Sequence, residues 1–158
     1  MRTLIITALL SGAIGFVAGN AFWYLFSPLW IDTVVNEQIA AELTETTLKT
    51  GDFRDADASH RGEGKATLFE SASGSRTLAF ENFTVTNGPD LEVWLVKAVD
   101  PQISADVTAS EWISLGTLKG NIGDQTYPLP ADVDPADYGS VVIWCEQFGV
   151  LFAVASLN

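Results

Sequence analysis

The chain has 158 residues, 47% of them hydrophobic and 18% charged, and its 20 Asp and Glu against 8 Lys and Arg leave a net charge of −12. That length suits one compact domain with an appendage, and the acidic balance offers no basic patch for phosphates, so nucleic acid is not an expected partner. A single cysteine rules out an intrachain disulfide, a Cys-rich zinc site and an iron–sulfur cluster held by this chain alone.

After Met1-Arg2 an uncharged run extends from Thr3 to Phe26, and the next charge is Asp32. As a helix this run spans roughly 36 Å, enough to cross a hydrocarbon core of about 30 Å with some tilt. Trp23, Tyr24 and Trp30 gather at one end, where amphipathic rings favour the interface, and Ser27-Pro28 interrupts the helix. Arg2 precedes the run, and Asp32, Glu37, Glu42 and Glu45 follow it. The positive-inside rule therefore puts the N-terminus in the cytoplasm and the remainder in the periplasm or outside the cell. The rival reading is a cleaved signal peptide, with small residues at Gly19-Asn20-Ala21, and it exports the remainder equally. Ser11, Gly15 and Gly19 form a small-residue stripe through which two anchors could pack as a homodimer.

From Asp32 to Leu48, apolar Val35, Ile39 and Leu43 recur at helical spacing with Glu37, Glu42 and Glu45 between them. This predicts a short amphipathic helix, capped by Asp32 and stopped by Gly51, that links membrane to domain. The chain divides into an anchor over residues 1–30, a spacer over 31–50 and a β domain over 51–158.

The β domain shows strand-like runs separated by turn signals. Strands are predicted at Gly64–Glu70, Arg76–Phe80, Phe83–Thr86, Leu91–Ala98, Trp112–Leu118, Gln125–Leu129, Ser140–Cys145 and Val150–Ser156. Ser73-Gly74 marks a tight hairpin, and Asn87-Gly88-Pro89-Asp90 marks another in which Gly88 is free to take a positive φ. Leu78 and Phe80 share a parity that Phe83 and Val85 reverse, so Glu81-Asn82 must hold a bulge or bend. Leu91, Val93 and Leu95 define one apolar face of their strand, and Trp94 and Val96 make the other apolar too. That strand is therefore expected to be central and covered on both sides, as are 141–145 and 150–154. The fold class is all-β, a β-sandwich or flattened barrel of about eight short strands.

Several separated blocks then stand in a distinctive order: Gly51-Asp52-Phe53, His60, Gly64-Lys65-Ala66, Phe80-Glu81-Asn82-Phe83 and Thr86-Asn87-Gly88-Pro89-Asp90-Leu91. Leu115 to Gln125, Tyr127-Pro128-Leu129-Pro130, Tyr138, Ser140 to Phe148 and Leu151-Phe152 follow. Over residues 51 to 157 the chain resembles the DM-thirteen domain, a family described as an electron-transfer module of cell surfaces. Ser27 to Asp32 and Val35-Asn36-Glu37 are similar to the membrane-proximal segment of its bacterial members. The resemblance implies a small extracytoplasmic β-rich domain. It also implies that the family's signature cysteine falls on Cys145, with a redox role as a bare thiol or as the holder of a prosthetic group such as haem.

Read from its own surroundings, Cys145 lies in an apolar strand beside Trp144, which raises a thiol's pKa and makes a buried small hydrophobe the bland reading. Adjacent Glu146 pushes the same way. A metal would reverse that logic, because coordination deprotonates a thiol outright. If Cys145 is functional, ligation is easier to defend than nucleophilic catalysis. His60, the single histidine, could complete a ligand pair with Cys145 for a haem iron or copper. Its own bland reading is a loop residue facing water. No CxxCH haem-attachment motif is present. Asp55, Asp57, Ser59 and Glu63 only faintly resemble a calcium loop and read as a solvated acidic loop, as do Asp132, Asp134 and Asp137. Lys119-Gly120-Asn121 and Gly123-Asp124 read as a shaped loop.

Three functions compete. The first is a membrane-anchored redox or electron-transfer domain centred on Cys145, working with a redox partner protein. The second is a non-catalytic binding or scaffolding module with a structural buried cysteine. The third is a carrier with an apolar pocket lined by Trp94, Trp112 and Trp144. Whether the chain is an enzyme stays open.

Overall fold

The computed structural model describes residues 1–27, 30–38 and 46–158. Helix α1 (Arg2–Phe26) carries the uncharged run and ends with Ser27 as its C-cap. It is long and apolar enough to cross a membrane, and from Arg2 to Tyr24 its side chains are exposed.

The remainder is all-β. Strands β1 (Thr46–Asp55), β2 (Gly62–Glu70), β3 (Arg76–Val85) and β4 (Leu91–Val96) precede a short helix, α2 (Ser104–Thr108). Strands β5 (Trp112–Thr117), β6 (Gln125–Pro128), β7 (Ser140–Cys145) and β8 (Val150–Ser156) follow it. All pair antiparallel in the order β5-β4-β7-β8-β1-β2-β3-β6, forming a nearly closed barrel of eight strands. Strand β1 turns the corner, pairing with β2 through its first half and with β8 through Phe53–Asp55. Gly51 sits at that corner, where a Cβ would strike the carbonyl of Ser156. The open seam between β5 and β6 is crossed by residues 118–123, whose amides and carbonyls bond Leu91 at one side and Phe83 and Val85 at the other.

Two apolar clusters follow from the strand alternation. Inside the barrel pack Phe53, Phe80, Phe83, Leu91, Val93, Leu95, Val141, Ile143, Cys145 and Phe152 among others. On the outer face lie Trp94, Val96, Val142, Trp144, Leu151 and Val154, covered by Val107 of α2. The central strands β4 and β7 feed both clusters, as their two-sided apolar pattern predicts. The bulge expected at Glu81-Asn82 is present. Lys65 pairs with Glu81 and Glu63 with Thr84, so Asn82 and Phe83 oppose the single residue Gly64. This extra residue lets Leu78, Phe80, Phe83 and Val85 all point inward. The runs read as two strands at 76–80 and 83–86 are therefore one bent strand.

Three expectations need correction. The described part of the spacer is not helical: residues 31–38 run extended along the barrel, and Val34 bridges Ile122 in parallel. Backbone bonds to the 121–124 loop outcompete a helix that only three apolar residues would support. Ile39, Glu42, Leu43 and Glu45 lie outside the described residues. Thr46, Thr47 and Leu48, at the end of the stretch read as that spacer helix, open β1 instead, and Gly51 sits inside that strand. Finally, the left-handed residue of the 87–90 turn is Asp90, with φ 52°, and not Gly88. Gly88 is required for space, because a Cβ there would lie 2.7 Å from the Phe152 ring.

Candidate functional site

One end of the barrel collects the turns that follow β1, β3, β5 and β7, and both sequence-predicted site residues lie there. Cys145 is the last residue of β7, opposite Leu91 on one side and Val150 on the other. Its side chain points inward and is fully buried. Two turns close over it. From the β3–β4 turn the Pro89 carbonyl accepts a hydrogen bond from the thiol at 3.0 Å. From the β7–β8 turn the Glu146 amide donates to Asp90 and the Gly149 amide to the Cys145 carbonyl. Burial pushes the Cys145 thiol above its ordinary range, helped by the negative charges of Asp90 and Glu146. The backbone N–H groups of Phe148 and Gln147 pull the other way without prevailing.

His60 stands in the β1–β2 turn. Its Nδ1 lies 2.8 Å from Asp57 Oδ2, and Asp57 Oδ1 accepts the backbone N–H groups of Ser59 and His60. These bonds, the imidazole contact first, hold the Asp57 carboxyl down at about 2. The imidazole packs against Phe152, with ring centroids 4.3 Å apart. Phe152 in turn fills the space that Gly88 leaves open. His60 and Cys145 thus share a barrel end, with Phe152 and the 87–90 turn packed there, and share no hydrogen bond.

Thiolate sulfur and a carboxylate-oriented imidazole are donors that suit a haem iron or copper. The packing does not suit either group. The sulfur is enclosed, and the cleft beside it is lined by Ile31, Thr33, Asn87, Gly88, Asp90 and Leu91 among others, not by Cys145 or His60. Among the described residues no three His, Cys, Asp or Glu side chains gather as a metal ion would need. The chain as folded admits such a group at Cys145 only if the 87–90 turn moves.

The three tryptophans of the carrier reading do come together, but they stack on each other and line no pocket between them. Trp94 lies 3.7 Å from Trp112, with planes 6° apart, and 5.0 Å from Trp144. Glu92 Oε2 accepts from Trp94 Nε1 and from Ser114 Oγ and so fixes the middle ring. This aromatic stack lies on the outer face of the barrel.

Sequence reasoning did not foresee Pro89 as the thiol's partner, Phe152 as the packing partner of His60, or Asp57 as the group that orients it. The pairing of β4 with β7 brings Pro89 to the thiol and that of β1 with β8 brings Phe152 to His60, whereas Asp57 stands three residues before His60 in the same turn.

A family model described as Electron transfer DM13 matches residues 52–157. The chain belongs to this family. The match spans every strand except the first half of β1, so the barrel is the DM13 domain, and α1 with residues 30–38 precedes it. Neither the curated proteins nor the solved structures searched gave a match.

Proposed function

We propose that this DM13 protein is a membrane-tethered, extracytoplasmic electron-transfer domain with Cys145 as its redox centre. The observation that carries the reading is the family match over residues 52–157. What supports Cys145 is its being the single cysteine of the chain and its place where two turns meet, the end of β7 and the turn that carries Pro89. What supports the extracytoplasmic side is the charge asymmetry around α1, with Arg2 before it and Asp32 and Glu37 after it.

A bound haem or copper ion would supply a one-electron couple, and this chain's part would be to hold it through the Cys145 sulfur. Such binding requires the 87–90 turn to open, because Pro89 now occupies the thiol. A second reading is favoured by that same bond. A buried thiol, satisfied by a backbone carbonyl, also suits a binding module whose cysteine only fills the core.

An optical titration of the purified full chain with haem and with copper separates the two. Electron transfer through a ligated group requires an absorption band that saturates at one equivalent and is lost in Cys145→Ala. Spectra equal to the sum of the separate components, in a folded protein, support the core reading.

A further inference from the structure

Residues 31–38 are bound to the barrel as a strap. Asp32 Oδ1 accepts Asn87 Nδ2 at 2.7 Å and Asn121 Nδ2 at 2.9 Å, and the Thr33 amide donates to Asn121 Oδ1 at 2.6 Å. The Val35 amide donates to the Ile122 carbonyl and the Glu37 amide to that of Asp124. Glu37 closes the strap by accepting Lys119 Nζ and both the amide and the hydroxyl of Thr126. Gly120 and Gly123 make the approach possible: a Cβ at Gly120 would lie 2.5 Å from the Thr33 carbonyl oxygen, and one at Gly123 would strike that of Val35. The loop at 119–124 is shaped for this strap.

The strap meets the barrel at the end that carries Cys145. Its first docked residue, Asp32, bonds Asn87, the residue that opens the turn over the thiol. Trp30, an interfacial anchor by residue type, lies two residues earlier, so Asp32 sits within about 7 Å of it along the chain. We infer that the strap fixes the barrel on the membrane with its Cys145 end turned toward the bilayer, and that its partner is a membrane-resident protein with a basic outer surface. The exposed Phe148, in the turn beside Cys145, lies on the same end. That end also bears Asp32, Asp57, Asp90, Asp124 and Glu146 against Arg61 and Lys119, of which Lys119 is already paired with Glu37. Anionic lipid repels such a surface, and a basic protein face complements it. The inference rests on the anchor reading and is independent of the chemistry at Cys145.

The test uses the full chain in phosphatidylcholine vesicles, in a Cys145→Ala background. A fluorophore is placed at Phe148→Cys or, at the opposite barrel end, at Ser73→Cys. With the two ends about 25 Å apart, a headgroup-bound quencher should quench the label at 148 at least about twofold more than that at 73. Freeing the strap with Asp32→Ala and Glu37→Ala together should abolish the difference while the β-sheet circular dichroism is kept. A membrane-spanning peptide with a lysine-rich head, cross-linked by carbodiimide, should couple to Asp90 or Glu146 and not to Asp132 or Asp134. Equal or stronger quenching at 73, a difference unchanged after strap release, or coupling at 132–134 would overturn the inference. Loss of the chain from the vesicles at alkaline pH would instead sink the anchor reading beneath it.

Discussion

The Cys145 thiol donates to the carbonyl oxygen of Pro89 across 3.0 Å, tying the end of β7 to the turn that follows β3. Burial raises its pKa, so the folded chain keeps the proton after an unfolded chain has begun to lose it. The stability this contributes is full below the ordinary thiol value of 9.0 and is lost as pH rises through the folded pKa. Alkylation by iodoacetamide at pH 8 is therefore expected to be slow in the native protein and fast in denaturant. Cys145→Ala should cost about 1–3 kcal/mol in urea unfolding, through the emptied volume and the lost bond.

Asp57 and His60 form a local pair that needs no barrel around it. An NMR titration should find the Asp57 carboxyl near the low value of about 2 in the native chain. In His60→Ala it should move back toward the ordinary 3.8, because the imidazole contact is its largest cause. The backbone bonds from Ser59 and the residue at 60 should keep it from returning fully.

Glu37 is the latch of the strap. Burial alone would raise its carboxyl pKa, but bonds from Lys119 and Thr126 outweigh burial and lower it. A carboxylate lowered on folding stabilises above its unfolded value of 4.5, and that contribution is lost as pH falls through the folded value. Glu37→Ala should cost about 1–2 kcal/mol and weaken the acid-side fall in stability, since Thr126 and Lys119 lose their acceptor. Urea melts at pH 7 and pH 3 measure both.

The bulge gives a pair of opposite outcomes. Asn82 has φ 50°, so Asn82→Gly should be neutral or stabilising within about 1 kcal/mol. Gly64 has φ 115°, and a Cβ there would lie 2.7 Å from Phe83 Cα. Gly64→Ala should therefore destabilise by more than about 2 kcal/mol in the same assay.

Trp112 is partly exposed and lies flat on Trp94. Trp112→Ala should reduce the exciton signal in near-ultraviolet circular dichroism and cost about 1 kcal/mol, leaving the buried Trp94–Trp144 contact in place.

These residues show which parts of the molecule were legible in the sequence. Ser140–Cys145 and Val150–Ser156 carry continuous apolar runs, and their bounds follow directly. The parity switch between Phe80 and Phe83 located the bulge, because a strict period of two would expose one pair. Strand β1 was obscured by its polar surface: Thr46, Thr47 and Leu48 are exposed, and the β-branched threonines were the only strand signal. The strap was obscured for a different reason. Its order comes from bonds to Asn121, Ile122 and Asp124, some ninety residues away, while its local apolar spacing mimics a helix. At the site, the family blocks pointed to Cys145 and His60, but Pro89 and Phe152 act through backbone placement and cross-strand packing that no local pattern records, while Asp57 orients His60 from three residues away in the same turn.

The most direct measurement for the central claim is spectroelectrochemistry on the full chain purified from its native source, compared with Cys145→Ser. The account expects a reversible one-electron transition in the native chain that is absent from a folded Cys145→Ser variant. The same transition in both chains, or none in either, would contradict a redox role for Cys145.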